Sequence, residues 1–189
     1  MLIADFLAAT GWGDAARAPL AMDASFRRYE RLVSGPKRAM LMDAPPPQED
    51  VRPFIAVQKL LRDLALAPPE IYAARIEHGL LLLEDLGDGT YTRLLAAGEP
   101  EEPLYALAVD VLIALHRRFV PASAPNLPPY DEARLLDEVV RFVDWYVRLV
   151  TGKEAAADLR ADYLGRWREV LPLAGRAPTT LVLRDYHVD

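Results

Sequence analysis

Apolar residues change their spacing several times along this chain, and each change marks an element. Residues 1–15 place Leu2, Phe6 and Leu7 on one side and then meet Gly11 and Gly13, which predicts a short N-terminal helix. From 19 to 44 the chain reads "LAMDASFRRYERLVSGPKRAMLMDA", apolar or β-favouring runs separated by the turn-like "DAS" and "SGPK". Three short antiparallel strands are expected near 18–22, 27–33 and 38–43. "PPPQED" stops the last of them, because three prolines cannot continue a central strand. Helical spacing returns at 50–66 with Phe54, Val57, Leu60, Leu61 and Leu64. "IYAARIEHGLLLLEDLG" then reads as two strands around a turn at residues 77–79. These elements make a small α+β lobe ending near residue 86.

The remainder is helical. Helices are expected over 90–97 and 101–119, the second burying Leu104, Leu107, Val111 and Leu115. "VPASAPNLPP" is a proline-rich connector. "YDEARLLDEVVRFVDWYVRLV" is strongly amphipathic, with Leu135, Val139, Phe142, Tyr146 and Leu149 on one stripe. A further helix covers about 154–172, and "PTTLVL" reads as a strand leading into the final residues. The lobe boundary falls near residues 84–87, giving lobes of 1–86 and 87–189.

Composition narrows the class. At 52% hydrophobic and 26% charged residues the chain is globular. No apolar run approaches the roughly 20 residues that span a bilayer, and the N-terminus lacks a basic leader and a cleavage site. A soluble, cytoplasmic protein is expected. Cysteine is absent, which removes disulfides, thiolate nucleophiles and cysteine zinc sites. Net charge is −6, only Lys37, Lys59 and Lys153 are lysines, and no basic patch with interleaved aromatics argues for nucleic acid. A few arginines can still hold a phosphorylated small molecule.

Candidate chemistry gathers in four places. "LVLRDYHVD" ends an apolar run on Arg184-Asp185-Tyr186-His187, so a carboxylate stands beside a guanidinium where it can accept an alcohol proton during phosphoryl transfer. "DASFRR" offers the Ser25 hydroxyl, backbone N–H groups around Phe26, and the guanidiniums of Arg27 and Arg28 to an anion, although it contains no glycine. "LLLEDLG" offers backbone groups near Glu84, Asp85 and Leu86 to a base, with Met42 and Leu83 as apolar walls. Trp145, beside Tyr146 of the apolar stripe, can stack on a sugar ring. The three histidines, His78, His116 and His187, show no metal-ligand spacing, and no metal site is expected within the chain. A P-loop motif is absent.

These stretches together resemble the aminoglycoside phosphotransferase and choline kinase superfamily. "LRDYH" carries the superfamily's catalytic loop. "DASFRRY", "MDAPPPQEDVRPF", "LLLEDLGDGTY" and "DWY" are similar to bacterial anomeric sugar kinases of cell-wall recycling, which act on N-acetylmuramate and N-acetylglucosamine. The resemblance implies a protein-kinase-like two-lobe α+β fold with a complete β-rich N-lobe and an incomplete helical C-lobe. It implies ATP with Mg2+ as cofactors and an amino sugar as the small-molecule substrate. Asp185 is then the base and Arg184 its loop anchor; Ser25, Phe26, Arg27, Arg28, Met42, Glu84, Asp85 and Leu86 face the nucleotide, and Trp145 and His187 the sugar. The family's metal-binding Asn would fall at position 190, one past the last residue, so the resemblance implies a truncated, inactive chain. Leu183 stands where His is usual. The third strand has no Lys and carries Asp43 near its expected place, and the following helix has no Glu beyond Glu49. Two alternatives stay open: a kinase for an aminoglycoside or another hydroxylated metabolite, and a nucleotide-binding module without catalysis. Oligomeric state is not legible.

Overall fold

The computed structural model describes residues 2–21, 25–124 and 127–188. They form two compact units, residues 2–118 with 186–188, and residues 119–185. Among the described residues no helix is long and apolar enough to cross a membrane.

The first unit is built on a five-stranded antiparallel sheet of order β1-β2-β3-β5-β4. Its strands are β1 (Ala16–Pro19), β2 (Arg28–Ser34), β3 (Lys37–Asp43), β4 (Ile71–Arg75) and β5 (Leu80–Leu83). The three early strands and the later pair therefore form as expected. Leu80, Leu81, Leu82 and Leu83 are all buried, because strand alternation sends them to opposite faces and both faces are covered. Leu80 and Leu82 pack with Leu32, Ala39 and Leu41 beneath Phe6 and Leu7 of helix α1 (Leu2–Ala9). Leu81 and Leu83 pack with Met42, Ala44 and Val51, joined by Phe54 and Ile55 of helix α2 (Arg52–Asp63).

Helices α3 (Tyr91–Ala96) and α4 (Glu101–Arg118) follow. Thr90 caps α3 by accepting the Arg93 N–H. Arg118 donates to the carbonyls of Leu64 and Ala65 at the end of α2, where unpaired carbonyls and the helix dipole favour a cation. The expected burial along α4 is corrected: Leu115 is buried, Leu104 and Val111 are half-buried, and Leu107 is exposed.

The second unit contains α5 (Glu132–Arg141), a π-helical turn (Phe142–Tyr146), α6 (Val147–Thr151) and α7 (Ala157–Ala174). Asp131 caps α5 by accepting the Arg134 N–H. The apolar stripe fails beyond Val139. Phe142, Tyr146 and Leu149 are exposed and Val143 is buried instead. The π turn explains this, since i→i+5 hydrogen bonding shifts every following side chain off the 3.6-residue period. The expected strand at "PTTLVL" does not form. A strand needs a hydrogen-bonded neighbour, and this segment pairs with none of the five strands, although Leu181 is buried.

Gly79 closes the turn between β4 and β5 at φ 67°, and its carbonyl accepts the Ala44 N–H at 2.9 Å. A Cβ there would lie 1.8 Å from the Ala44 carbonyl oxygen, whereas one at Gly35 (φ 58°) would meet nothing within 4 Å. Gly35→Ala should lose about 1–2 kcal/mol from the left-handed backbone alone. Gly79→Ala should lose at least about 3 kcal/mol, because backbone must also move. Urea midpoints of the two variants check this, and equal losses would refute the close approach.

Candidate functional site

Asp185 is exposed and follows a residue whose backbone is strained: Arg184 has φ 62°, a region that non-glycine residues rarely occupy. The Arg184 side chain explains how the loop holds. Its Nη2 donates to Glu138 Oε1 at 2.6 Å, tying the loop to α5. Glu138 also accepts the Tyr130 hydroxyl, and Arg134 lies one helical turn before it at 4.0 Å. The Glu138 carboxyl is held below its ordinary value, first by the Tyr130 hydrogen bond and then by the charges of Arg184 and Arg134. The clamp is therefore Tyr130–Glu138–Arg184, and sequence reasoning found only its last member. Tyr130 and Glu138 carry no local signal, since they read as the first residue of the amphipathic helix and a position off its apolar stripe.

Asp23 and Ala24 of "DASFRR" lie outside the described residues. Ser25 Oγ accepts the Arg27 N–H at 3.2 Å, which closes a tight side-chain turn. Phe26 is exposed. Both arginines already hold carboxylates, Arg27 with Glu49 at 3.0 Å and Arg28 with Asp43 at 2.6 Å. The Arg28–Asp43 pair follows from register, because the two residues face each other across β2 and β3. Strand alternation places Asp43 on the sheet face of α1. The α2 face is lined by Met42, which is fully buried against Val51, Leu81 and Leu83. Met42 and Leu83 thus sit inside closed packing, with no open wall toward a ligand.

The hinge stretch is organised by a residue that sequence reasoning passed over. Arg31 on β2 holds the Asp85 carboxylate with two nitrogens, Nε at 2.7 Å from Oδ2 and Nη2 at 3.1 Å from Oδ1. Its remaining Nη1 donates to Asp88 at 3.0 Å. The Asp85 side chain is only 2% exposed, so the guanidinium stands in for water through one hydrogen bond and close charge, while Nε and Oδ2 are not aligned to bond each other. Asp85 Oδ1 also accepts the Gly87 N–H at 3.0 Å. The Glu84 N–H donates to the Glu70 carbonyl at 2.8 Å and is committed. Leu86 is 65% exposed. The one hint in sequence was a charge at an inner position of β2.

Beyond Asp185 the chain returns to the first unit. Tyr186 donates to the Ala108 carbonyl at 2.9 Å, and the Val188 carbonyl accepts the Thr92 N–H at 3.0 Å. His187 lines a cleft of about 310 Å³ with Tyr91, Tyr105 and Tyr186. Trp145 belongs to the second unit, is 71% exposed, and lines a cleft of about 390 Å³. The first unit thus assembles Ser25–Arg28, Met42, the hinge and His187, and the second holds Trp145, Arg184 and Asp185.

Among the described residues, no group of three or more His, Cys, Asp or Glu could hold a metal ion. They do not by themselves fit magnesium. A nucleotide fits better. Arg27 and Arg28 keep a third and a half of their side chains exposed, so their carboxylate partners can be exchanged for phosphate oxygens.

Arg31→Ala would strand the buried Asp85 carboxylate and should destabilise the first unit by about 3 kcal/mol. Adding Asp85→Asn should recover part of that loss, which denaturant unfolding of the single and double variants would show. In the clamp, the sign follows from the lowered Glu138 carboxyl. Its stabilisation is complete above the ordinary carboxylate value of 4.5 and is lost as pH falls through the lower folded value. Tyr130→Phe should move the Glu138 midpoint, read by carboxyl-carbon NMR, back up toward 4.5; an unmoved midpoint would break the clamp.

Residues 17–189 match the Phosphotransferase enzyme family (APH). The N-acetylmuramate/N-acetylglucosamine kinase of Pseudomonas aeruginosa is 41% identical over 189 residues, covering 96% of this chain and 54% of that protein. Its namesakes from Pseudomonas putida and Caulobacter vibrioides are 39% and 34% identical, covering 96% and 98% of this chain and 53% and 60% of those proteins. The chain spans about half the length of the curated relatives it matches. On the strength of the family match over residues 17–189, the chain belongs to the APH phosphotransferase family.

Proposed function

We propose that this chain is the nucleotide lobe and catalytic loop of a cytoplasmic ATP-dependent kinase whose substrate is a small N-acetylated amino sugar. The transferred group would go to the anomeric hydroxyl. The observation that carries the reading is the Asp185 loop: an exposed carboxylate presented by a strained residue that Glu138 and Tyr130 hold in place. Exposure leaves the carboxylate free to meet a substrate, and the clamp lowers the motion lost on reaching it.

In this reading the sugar hydroxyl donates its proton to Asp185 as its oxygen bonds the γ-phosphorus of ATP. The bond from that phosphorus to the bridging oxygen breaks, and ADP leaves. Magnesium, when bound, would neutralise phosphate charge. The chain's own contributions are separate. Leu86 would offer its backbone to adenine at the hinge that Arg31 and Asp85 brace. Glu84 braces β4 and β5 and would leave adenine to Leu86. Ser25, Phe26, Arg27 and Arg28 would cover the phosphates, and His187 would sit near the acceptor. The lobe division at residues 86 and 87 belongs to the same proposal. Met42 would shape the site from within the core.

One observation favours a second reading, a nucleotide-binding module without transfer: Arg27 and Arg28 are both neutralised by carboxylates. One assay separates the two. In the protein that contains this chain, ADP release is followed with N-acetylmuramate and N-acetylglucosamine. Asp185→Asn should keep nucleotide affinity and lower kcat at least about 100-fold, as removal of a general base does. Undiminished turnover by that variant removes Asp185 from the chemistry, and nucleotide binding without ADP release selects the second reading.

A further inference from the structure

The cleft in the second unit has features that its family membership does not explain. It is lined by Asp144, Trp145, Arg148, Glu154, Ala155 and Arg160. At about 390 Å³ it falls within the roughly 300–1,000 Å³ of small-molecule sites. The π turn Phe142–Tyr146 carries two of these residues, and such turns are over-represented where a helix must re-aim side chains for function. Here it turns Trp145 outward to 71% exposure. Asp144 receives Arg160 through two hydrogen bonds, Nε to Oδ1 at 2.8 Å and Nη2 to Oδ2 at 3.2 Å. That fork satisfies both members of the pair and braces α7 against the turn. Arg148, one turn beyond Asp144 on α6, is exposed and has no ion-pair partner among the described residues.

The chemistry of the lining selects its ligand. Trp145 supplies a broad apolar face, which suits the C–H face of a pyranose ring. Glu154 can accept from ring hydroxyls or an amide N–H. Arg148 has donors only, in a planar fork that a carboxylate satisfies with two parallel hydrogen bonds. Asp144 does not oppose an anion there, because Arg160 already neutralises it. Resting on the amino-sugar reading above, we propose that this cleft is the sugar subsite and that Arg148 reads a carboxylate substituent on the sugar. N-acetylmuramate carries such a group as its lactyl ether, and N-acetylglucosamine does not. Arg148 is thus a specificity residue, separate from the Asp185 chemistry.

The test titrates N-acetylmuramate, its neutral methyl ester and N-acetylglucosamine into the protein that contains this chain, with calorimetry reading affinity without turnover. N-acetylmuramate should bind roughly tenfold to a hundredfold more tightly than its ester, the range of a charge-assisted fork. Arg148→Ala should collapse that ratio at least tenfold, and Arg148→Lys should restore part of it. Trp145→Ala should weaken all three ligands. Equal binding of acid and ester by the unaltered protein, or no binding of the acid, overturns the proposal, and neither result depends on a variant that folds. An unaltered ratio in folded Arg148→Ala overturns it as well. The kinase reading is judged separately by ADP release: a ratio that depends on Arg148 without transfer leaves this subsite standing and removes the kinase reading.

Discussion

Four consecutive leucines, Leu80 to Leu83, constrain everything around them. A strand with no polar position cannot leave either face in water, so the sheet has to be covered twice. Helix α1 covers Leu80 and Leu82, and α2 covers Leu81 and Leu83. At about 1.5–3 kcal/mol for each fully buried leucine, this strand outweighs any single ion pair at the surface. The strand ends at Leu83, and two residues later Asp85 is still buried. That is why Arg31 must reach it: a carboxylate so close to the core needs a fixed guanidinium in place of solvent. The core thus runs almost into the stretch after β5, and the Arg31 contacts begin where the leucines end.

The same two-sided burial accounts for the absence of a lysine from the buried stretch of β3, whose one lysine, Lys37, stands exposed at the strand's start. The β3 side chain that faces α2 is Met42, and its neighbours on the helix are Phe54 and Ile55. An ammonium there would need a carboxylate on α2, where Asp63 is exposed at the far end beside Lys59, and Glu49, which precedes the helix, is held by Arg27. Replacing both partners of a buried pair by apolar groups can be neutral or stabilising, whereas losing one is not. Charge stands one residue on and on the opposite face, where Arg28 and Asp43 pair across strands and the Arg28 side chain is about half exposed.

Much of this was legible from spacing. The sheet strands, both early helices and the turn at residues 77–79 follow local rules of alternation, proline and glycine. The stretches proposed as hinge and catalytic loop stand out in the sequence because their residue types are unusual together. What escaped detection depends on contacts between distant segments. Arg31 meets Asp85 across 54 residues, and Arg184 meets Glu138 across 46. No window of sequence contains either pair. The amphipathic stripe misled for a different reason: it assumed one helical period through a segment that changes period at Phe142. The segment at "PTTLVL" misled because apolar content predicts burial and cannot supply a pairing partner.

Arg184 shows how one residue can serve geometry and attachment together. Its left-handed backbone costs about 1–2 kcal/mol relative to an ordinary conformation, and glycine would remove that penalty. Glycine would also remove the guanidinium, and with it the 2.6 Å hydrogen bond to Glu138. At an exposed site such a bond is screened, so its strength depends on how well the acceptor is held. Tyr130 holds Glu138 from the far side through its own hydroxyl. Strain, clamp and exposed carboxylate therefore form one device: the backbone turn aims Asp185 outward, and the side chain of the preceding residue keeps that turn from relaxing.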